Sequence, residues 1–412
     1  MRAYVGADWS ATEVVCAVAG ESGPPLPKRF QAEPSLDSVR DLVERVRSKT
    51  GAHEVYVMIE AGAGLWVNLF HAAGAVVHVV DPKQARRFAE SQGSSGAKDD
   101  PRDSASLADM CRSASHRKSA WTPDPVEIRQ LEVLATLQEQ RTKDVGRAKQ
   151  RLRDVLRAQM PLIEAALPHD VSARWVRAFL RKVPTPWHAR NLTRAQFDRL
   201  AEGARPERRD RVWAAIEATQ APWLDAAIAK TLGTQVRFEL DQLELLGKQL
   251  AQIEEQLDAV TDGSTTRTAA ESMAGIGLQL SAALIQFVFR DGVPADRDEA
   301  SIRLGASPVF VGSGKTRDGR SKGFVRMRRA APARGRRATY LIGRLVTPRH
   351  RWAAAMFADG RKRGQNAATV YRRIARSVLR LFTALVRTGQ PYDEARYIAS
   401  LKAKGVPWAA AL

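Results

Sequence analysis

The chain has 412 residues, 44% of them hydrophobic, with 65 Lys+Arg against 45 Asp+Glu and a net charge of +20. That length accommodates two or three domains with ordinary cores, and the charge recruits polyanions, nucleic acid first because each neutralised phosphate releases counterions. Two cysteines, Cys16 and Cys111, and seven scattered histidines exclude a disulfide framework and a Cys-based zinc site, so oxygen ligands are expected for any metal.

No apolar run reaches the ~18–20 residues of a membrane-spanning helix. Asp8 stands where a signal peptide would have its apolar core, so a reducing, cytoplasmic setting without membrane association is expected. Residues 1–115 alternate strand and helix signals. Tyr4–Asp8 and Val14–Ala19 are short runs around the turn-like Trp9-Ser10-Ala11-Thr12, which reads as a hairpin, and Phe30–Glu33 is a third strand candidate. Leu36, Val39, Leu42, Val43 and Val46 recur at helical spacing. Val55–Ile59 and Val76–Val80 are strand-length apolar runs with a helix expected over 62–73 between them, an α/β pattern.

Residues 116–262 lose the strand signals. Leu131, Leu134, Leu137, Leu152, Val155 and Leu156 predict one long helix. Val236, Leu240, Leu243, Leu250, Ile253 and Leu257 predict a second, interrupted by Gly247. Two such stripes are expected to form a coiled coil, within the chain or as a seam between chains; a plain helical spacer is the alternative. Residues 263–412 form a third, mainly helical block. Between Ser313 and Arg380 there are 20 Lys/Arg and two acids, Asp318 and Asp359, an imbalance expected of a phosphate-facing surface. Arg328, Arg329, Arg372 and Arg373 are the candidate contacts.

Asp8 and Glu60 each end an apolar strand, where a side chain emerges beside a sheet rather than inside it. Two such acids on neighbouring strands repel unless a divalent cation compensates them. Asp100 and Asp103 are spaced i, i+3 at a helix start and share one face. Four carboxylates on two strands and a helix suit two Mg²⁺ ions about 3.5–4 Å apart, an arrangement for phosphoryl transfer. Asp100-Pro101-x-Asp103 also serves as N-cap, N1 proline and N3 acid, and capping alone is the bland alternative.

Gly312-Ser313-Gly314-Lys315 places a hydroxyl between two glycines and beside a cation. Together with Thr316 it imitates the end of a phosphate-binding loop, but Val309 stands where that motif needs its first glycine, and the GxSxG elbow is absent as well. Gly275-Ile276-Gly277 has the form of a turn between two helices, with Gly275 and Gly277 exposing N–H groups to phosphate.

Taken together these residues resemble the DEDD transposases of the insertion-sequence-110 family, the group associated with bridge-RNA-guided recombination. The resemblance runs from Gly6-Ala7-Asp8-Trp9-Ser10 through Ile59-Glu60-Ala61, Lys98-x-Asp100-x-x-Asp103, the Gly275 turn and Ser313-Gly314-Lys315 to the basic C-terminal helices. It implies a RuvC-like, RNase-H-type domain whose Asp8, Glu60, Asp100 and Asp103 bind Mg²⁺, and a C-terminal domain with Ser313 as nucleophile. It also implies DNA as substrate, a structured noncoding RNA partner, a dimer or tetramer, and a nucleoid-associated place in a bacterial-type cytoplasm. Relatives commonly read Lys-Thr-Asp-Arg-x-Asp-Ala where Asp99 and Pro101 stand here, which makes Asp99 a candidate substitute ligand. A water-using RuvC-like nuclease and a non-catalytic nucleic-acid-binding protein are the rival expectations.

Overall fold

The computed structural model describes residues 1–412 except 23, 24, 27, 28, 93–99, 118, 220–224, 291, 295, 297, 313, 315–322, 329, 330 and 411, with backbone only at 100–102, 117 and 325. Two compact units divide the chain, Met1–Asp124 and Pro125–Leu412.

The first unit is built on strands β1 (Arg2–Trp9), β2 (Val14–Ala19) and β3 (Phe30–Ala32), helix α1 (Leu36–Thr50), strand β4 (Glu54–Glu60), helix α2 (Gly64–Ala72), strand β5 (Val76–Val80) and helices α3 (Pro82–Ser91) and α4 (Asp100–Ala114). The sheet runs β3-β2-β1-β4-β5, antiparallel on the β2 side of β1 and parallel from β1 to β5. Such a mixed five-stranded sheet with helices is consistent with the RNase-H-like expectation. Ser10 makes the β1–β2 turn: its Oγ accepts from the Thr12 and Glu13 amides at 3.2 and 3.1 Å.

Alternation divides the sheet's two faces. Ala3, Val5 and Ala7 of β1 and Val55, Val57 and Ile59 of β4 pack with Val39, Leu42 and Val46 of α1 and Trp66 and Phe70 of α2. Tyr4, Tyr56 and Met58 take the opposite face, with Leu107, Met110 and Cys111 of α4.

The second unit is mainly helical. Helix α5 (Val126–Gln159) leads into five short helices, α6 (Pro161–Ala166), α7 (Arg174–Lys182), α8 (Pro186–Ala189), α9 (Arg194–Leu200) and α10 (Pro206–Ala218), and then the long α11 (Ala226–Thr261). There follow α12 (Thr265–Glu271), α13 (Leu278–Phe287), α14 (Glu299–Arg303), the hairpin strands β6 (Pro308–Val311) and β7 (Phe324–Met327), and α15 (Ala333–Val346), α16 (Arg351–Lys362), α17 (Ala367–Thr388) and α18 (Glu394–Ala403).

Helices α5 and α11 share two separate cores, but the coiled coil expected for them is not evident. Ile128, Leu131 and Leu134 meet Ile253 and Leu257 at one end. At the other, Ala148, Leu152 and Leu156 join Val236, Leu240 and Leu243 in a core completed by Phe179, Phe197 and Val212 of the short helices. Between Leu134 and Ala148 no α5 residue is buried, and Leu250 is only half-buried. A heptad seam needs continuous knobs; here short helices take over the apolar stripes.

The remaining helices form the largest core. In α17, Asn366 caps the start by accepting from the Thr369 amide at 2.8 Å, and Gly389 ends it at φ 64°. Its buried Val370, Ile374, Val378, Leu379 and Phe382 recur at helical spacing. Each such side chain contributes about 1.5–3 kcal/mol by leaving water. A Cβ on Gly343 of α15 would lie 2.0 Å from the Tyr371 carbonyl oxygen, so α15 and α17 touch through their backbones.

Candidate active site and nucleic-acid interface

Strand register brings two of the expected acids together. β1 and β4 are parallel with Ala7 opposite Ile59, so the next pair along is Asp8 and Glu60. Both belong to the face that α3 and α4 cover, and both are half-buried. This is the carboxyl end of parallel strands, where sheet side chains reach a crevice rather than the core.

Helix α4 reaches the same edge. It crosses β1 at Gly6, where a Cβ would meet the Ser104 carbonyl oxygen at 2.0 Å and the Ala108 nitrogen at 2.2 Å. Cys111 lies further back, hydrogen-bonded to the Val5 backbone, so α4 runs against β1 with its N-terminus toward Asp8. The backbone of Asp100 begins the helix, and Asp103 is one residue before the buried Ser104 and exposed. Asp99 lies outside the described residues, as does the side chain of Asp100.

Among the described residues no group of three or more His, Cys, Asp or Glu side chains is assembled for a metal ion. The two acids placed side by side offer only carboxylate oxygens, the donors that hard divalent cations take. Burial first, and then the nearby charge of Asp8, pushes the Cys16 thiol above its ordinary range. Burial likewise raises Cys111, to about 12, so neither cysteine supplies a thiolate.

Trp66 steadies the loop after β1 by donating from Nε1 to the Ser10 carbonyl at 2.9 Å. Gly62, at φ 108°, passes beneath the Trp9 ring, which a Cβ would touch at 3.3 Å. Reasoning from sequence missed the part Gly6 plays. A glycine inside an apolar strand is the signal that would have found it, because it marks close backbone approach.

In the second unit Ser313, Lys315 and Arg329 lie outside the described residues. The flanking strands pair Pro308 with Met327 through Val311 with Phe324, so the chain from 312 to 323 closes the hairpin that contains Ser313. Phe310 and Phe324 are 52% and 63% exposed, and this hairpin stands out from the core.

Gly275 has a packing role: at φ 99° it sits against α15, where a Cβ would meet the Leu345 carbonyl at 2.7 Å. Gly277 is exposed at the N-cap of α13 with open space beside it. The basic block divides in two. Arg376 and Arg380 hold Asp298, Arg334 pairs with Glu139, Arg363 with Asp359, and Arg373 donates to Gln365 at 2.6 Å. Among the described residues Arg326, Arg344, Lys362 and Arg372 have no ion pair within the chain, as phosphate contacts would require.

No helix is long and apolar enough to cross a membrane among the described residues. A family model described as Transposase, the DEDD type of insertion sequence IS110, matches residues 5–161. The mini-circle putative transposase for IS117 of Streptomyces coelicolor is 24% identical, over 97% of this chain and 98% of that protein. The putative transposase y4uE of Sinorhizobium fredii is 26% identical over 50% of this chain and 58% of its own length. The family implies divalent metal ions, generally Mg²⁺. The carboxylate edge of the sheet agrees with these likenesses: residues 5–161 match a DEDD transposase, an enzyme of DNA phosphoryl transfer, and nearly the whole chain is similar to a putative transposase.

Proposed function

We propose that this transposase cleaves and rejoins DNA through Ser313, with Asp8, Glu60, Asp100 and Asp103 as its Mg²⁺ ligands and a structured noncoding RNA as its guide. The observation that carries the reading is the in-register placement of Asp8 and Glu60 on neighbouring parallel strands, with the start of α4 directed to the same edge. Bound Mg²⁺ would ease deprotonation of the attacking hydroxyl and offset charge on the leaving oxygen.

The chain's own groups do the rest. Ser313 Oγ gives up its proton and bonds to phosphorus, while the bond from phosphorus to the leaving nucleoside oxygen breaks and that oxygen takes up a proton. A DNA hydroxyl then displaces the serine, re-forming a phosphodiester and returning the side chain. Lys315 offsets the charge that builds on phosphorus. The unpaired cations, Arg372 among them, hold the DNA backbone without reading its sequence, and the active assembly is a homo-oligomer, a dimer or tetramer.

The test is a Ser313→Ala protein incubated with labelled DNA, Mg²⁺ and the guide RNA. It should bind DNA as the parent does but form no covalent adduct in a denaturing gel. Mixing it with Asp8→Asn protein should recover partial cleavage if sites are shared between subunits. Normal recombination by Ser313→Ala would remove the serine and leave a water-using nuclease.

A further inference from the structure

Where the chain enters and leaves the β6–β7 hairpin, the second unit has a cavity of about 390 Å³. Its walls are of two kinds: Phe287, Ile302 and Pro332 are apolar, and Arg290, Arg303 and Arg328 are cationic. Ile302 is 41% exposed, an apolar side chain left open to solvent beside guanidinium groups.

The arginines are not equivalent. Arg303 is already engaged, donating from Nη2 and Nε to Glu299 Oε1 at 2.5 and 3.1 Å and from Nη1 to the Val288 carbonyl at 3.2 Å. Arg328 differs: its Nε is buried with no hydrogen-bond acceptor among the described residues. A buried donor without an acceptor is costly, and an arriving anion relieves that cost.

An anion joined to a flat apolar group satisfies both walls at once, and the volume suits one such unit rather than a duplex. We propose that this cavity receives a single unstacked nucleotide, with its base against Phe287 and Ile302 and its phosphate on Arg328. It rests on the C-terminal block facing nucleic acid, and it adds a grip on single-stranded segments beside the hairpin that contains Ser313. Rearranging strands pass through unpaired intermediates, and a pocket that holds one flipped nucleotide keeps such a strand in register with the hairpin.

The experiment measures binding by the full-length protein to fluorescent single-stranded DNA, single-stranded RNA and blunt duplex DNA, with EDTA present so that no strand is cut. Arg328→Gln should weaken single-strand binding about tenfold, in the range for losing one base or phosphate anchor, and weaken duplex binding much less. Ile302→Glu, on an exposed wall, should do the same without altering the melting temperature, and it carries the test should Arg328→Gln melt early. A 2-aminopurine placed in the strand should be quenched by the parent protein and not by either variant.

A loss confined to DNA assigns the pocket to the rearranging strand, and a loss confined to RNA assigns it to the guide. Equal losses on duplex and single strands, or none, would overturn the proposal. Because no cleavage is read, failure of the serine mechanism leaves this result untouched.

Discussion

Gly6 in the first unit and Gly343 in the second each let a helix backbone touch another element, and these two contacts differ in what they hold. At Gly6 the neighbour is α4, and the contact fixes the first turns of that helix, which begin at the backbone of Asp100, against β1. At Gly343 the neighbour is α17, which contains Arg372, and the contact sets the spacing of a basic surface. Under the proposed function, the first unit needs registry at one point, whereas the second needs charge spread over a face. Point registry fails all at once, and a charged face fails by increments.

The largest expected effect follows from the acids themselves. Asp8→Asn and Glu60→Gln should each reduce strand cleavage by about a thousandfold, roughly 4 kcal/mol of transition-state stabilisation, with the melting temperature unchanged. Parent-like cleavage by either would remove that residue from the site. Next, Gly6→Ala should destabilise the chain by about 1–3 kcal/mol through overpacking and abolish cleavage while sparing DNA binding. Gly343→Ala should have a similar thermal cost but weaken DNA binding instead. If both variants lose the same function, the two contacts are equivalent and the comparison breaks.

Much of this could be read in the sequence. The runs Val14–Ala19 and Val76–Val80 are β2 and β5 to the residue, because an apolar run bounded by turn residues leaves little choice of limits. The pairing of Asp8 with Glu60 followed from both acids ending apolar strands, although which strands were neighbours was known only from the sheet. The coiled coil was misread because an apolar stripe shows that a helix face is buried but not by what. Val236, Leu240 and Leu243 have the spacing of a seam, yet Phe179, Phe197 and Val212 of short helices complete their core. The Arg328 cavity was invisible for the same reason: Phe287, Ile302 and Arg328 meet only through tertiary packing.

Smaller effects sharpen the second half of the comparison. Arg372→Gln should lower the slope of log affinity against log salt by close to one, equally for all DNA sequences. Arg373→Gln should lower it less, since that side chain already donates to Gln365; equal slopes would show both to be phosphate contacts.

The smallest effect concerns acid. Hydrogen bonding to Arg380, helped by the charges of Arg376 and Arg380, lowers the Asp298 carboxyl from 3.8 to about 2. A depressed folded pKa means that this stability is complete above the ordinary value and is lost as pH falls through 3.8 toward about 2. Asp298→Asn should therefore flatten the acid side of the thermal stability profile in that window, and an unchanged profile would show that the clamp contributes nothing.

The position of β1 in its sheet has a consequence for motion. β1 is hydrogen-bonded on both sides, to β2 and to β4, whereas among the described residues β6 and β7 pair only with each other. Amides of Val5 and Ala7 should therefore resist deuterium uptake until the first unit opens as a whole, while those of Val309 and Val311 exchange through local opening. Residues next to Asp8 are thus held on the timescale of global unfolding, and those leading to Ser313 on that of a fraying hairpin.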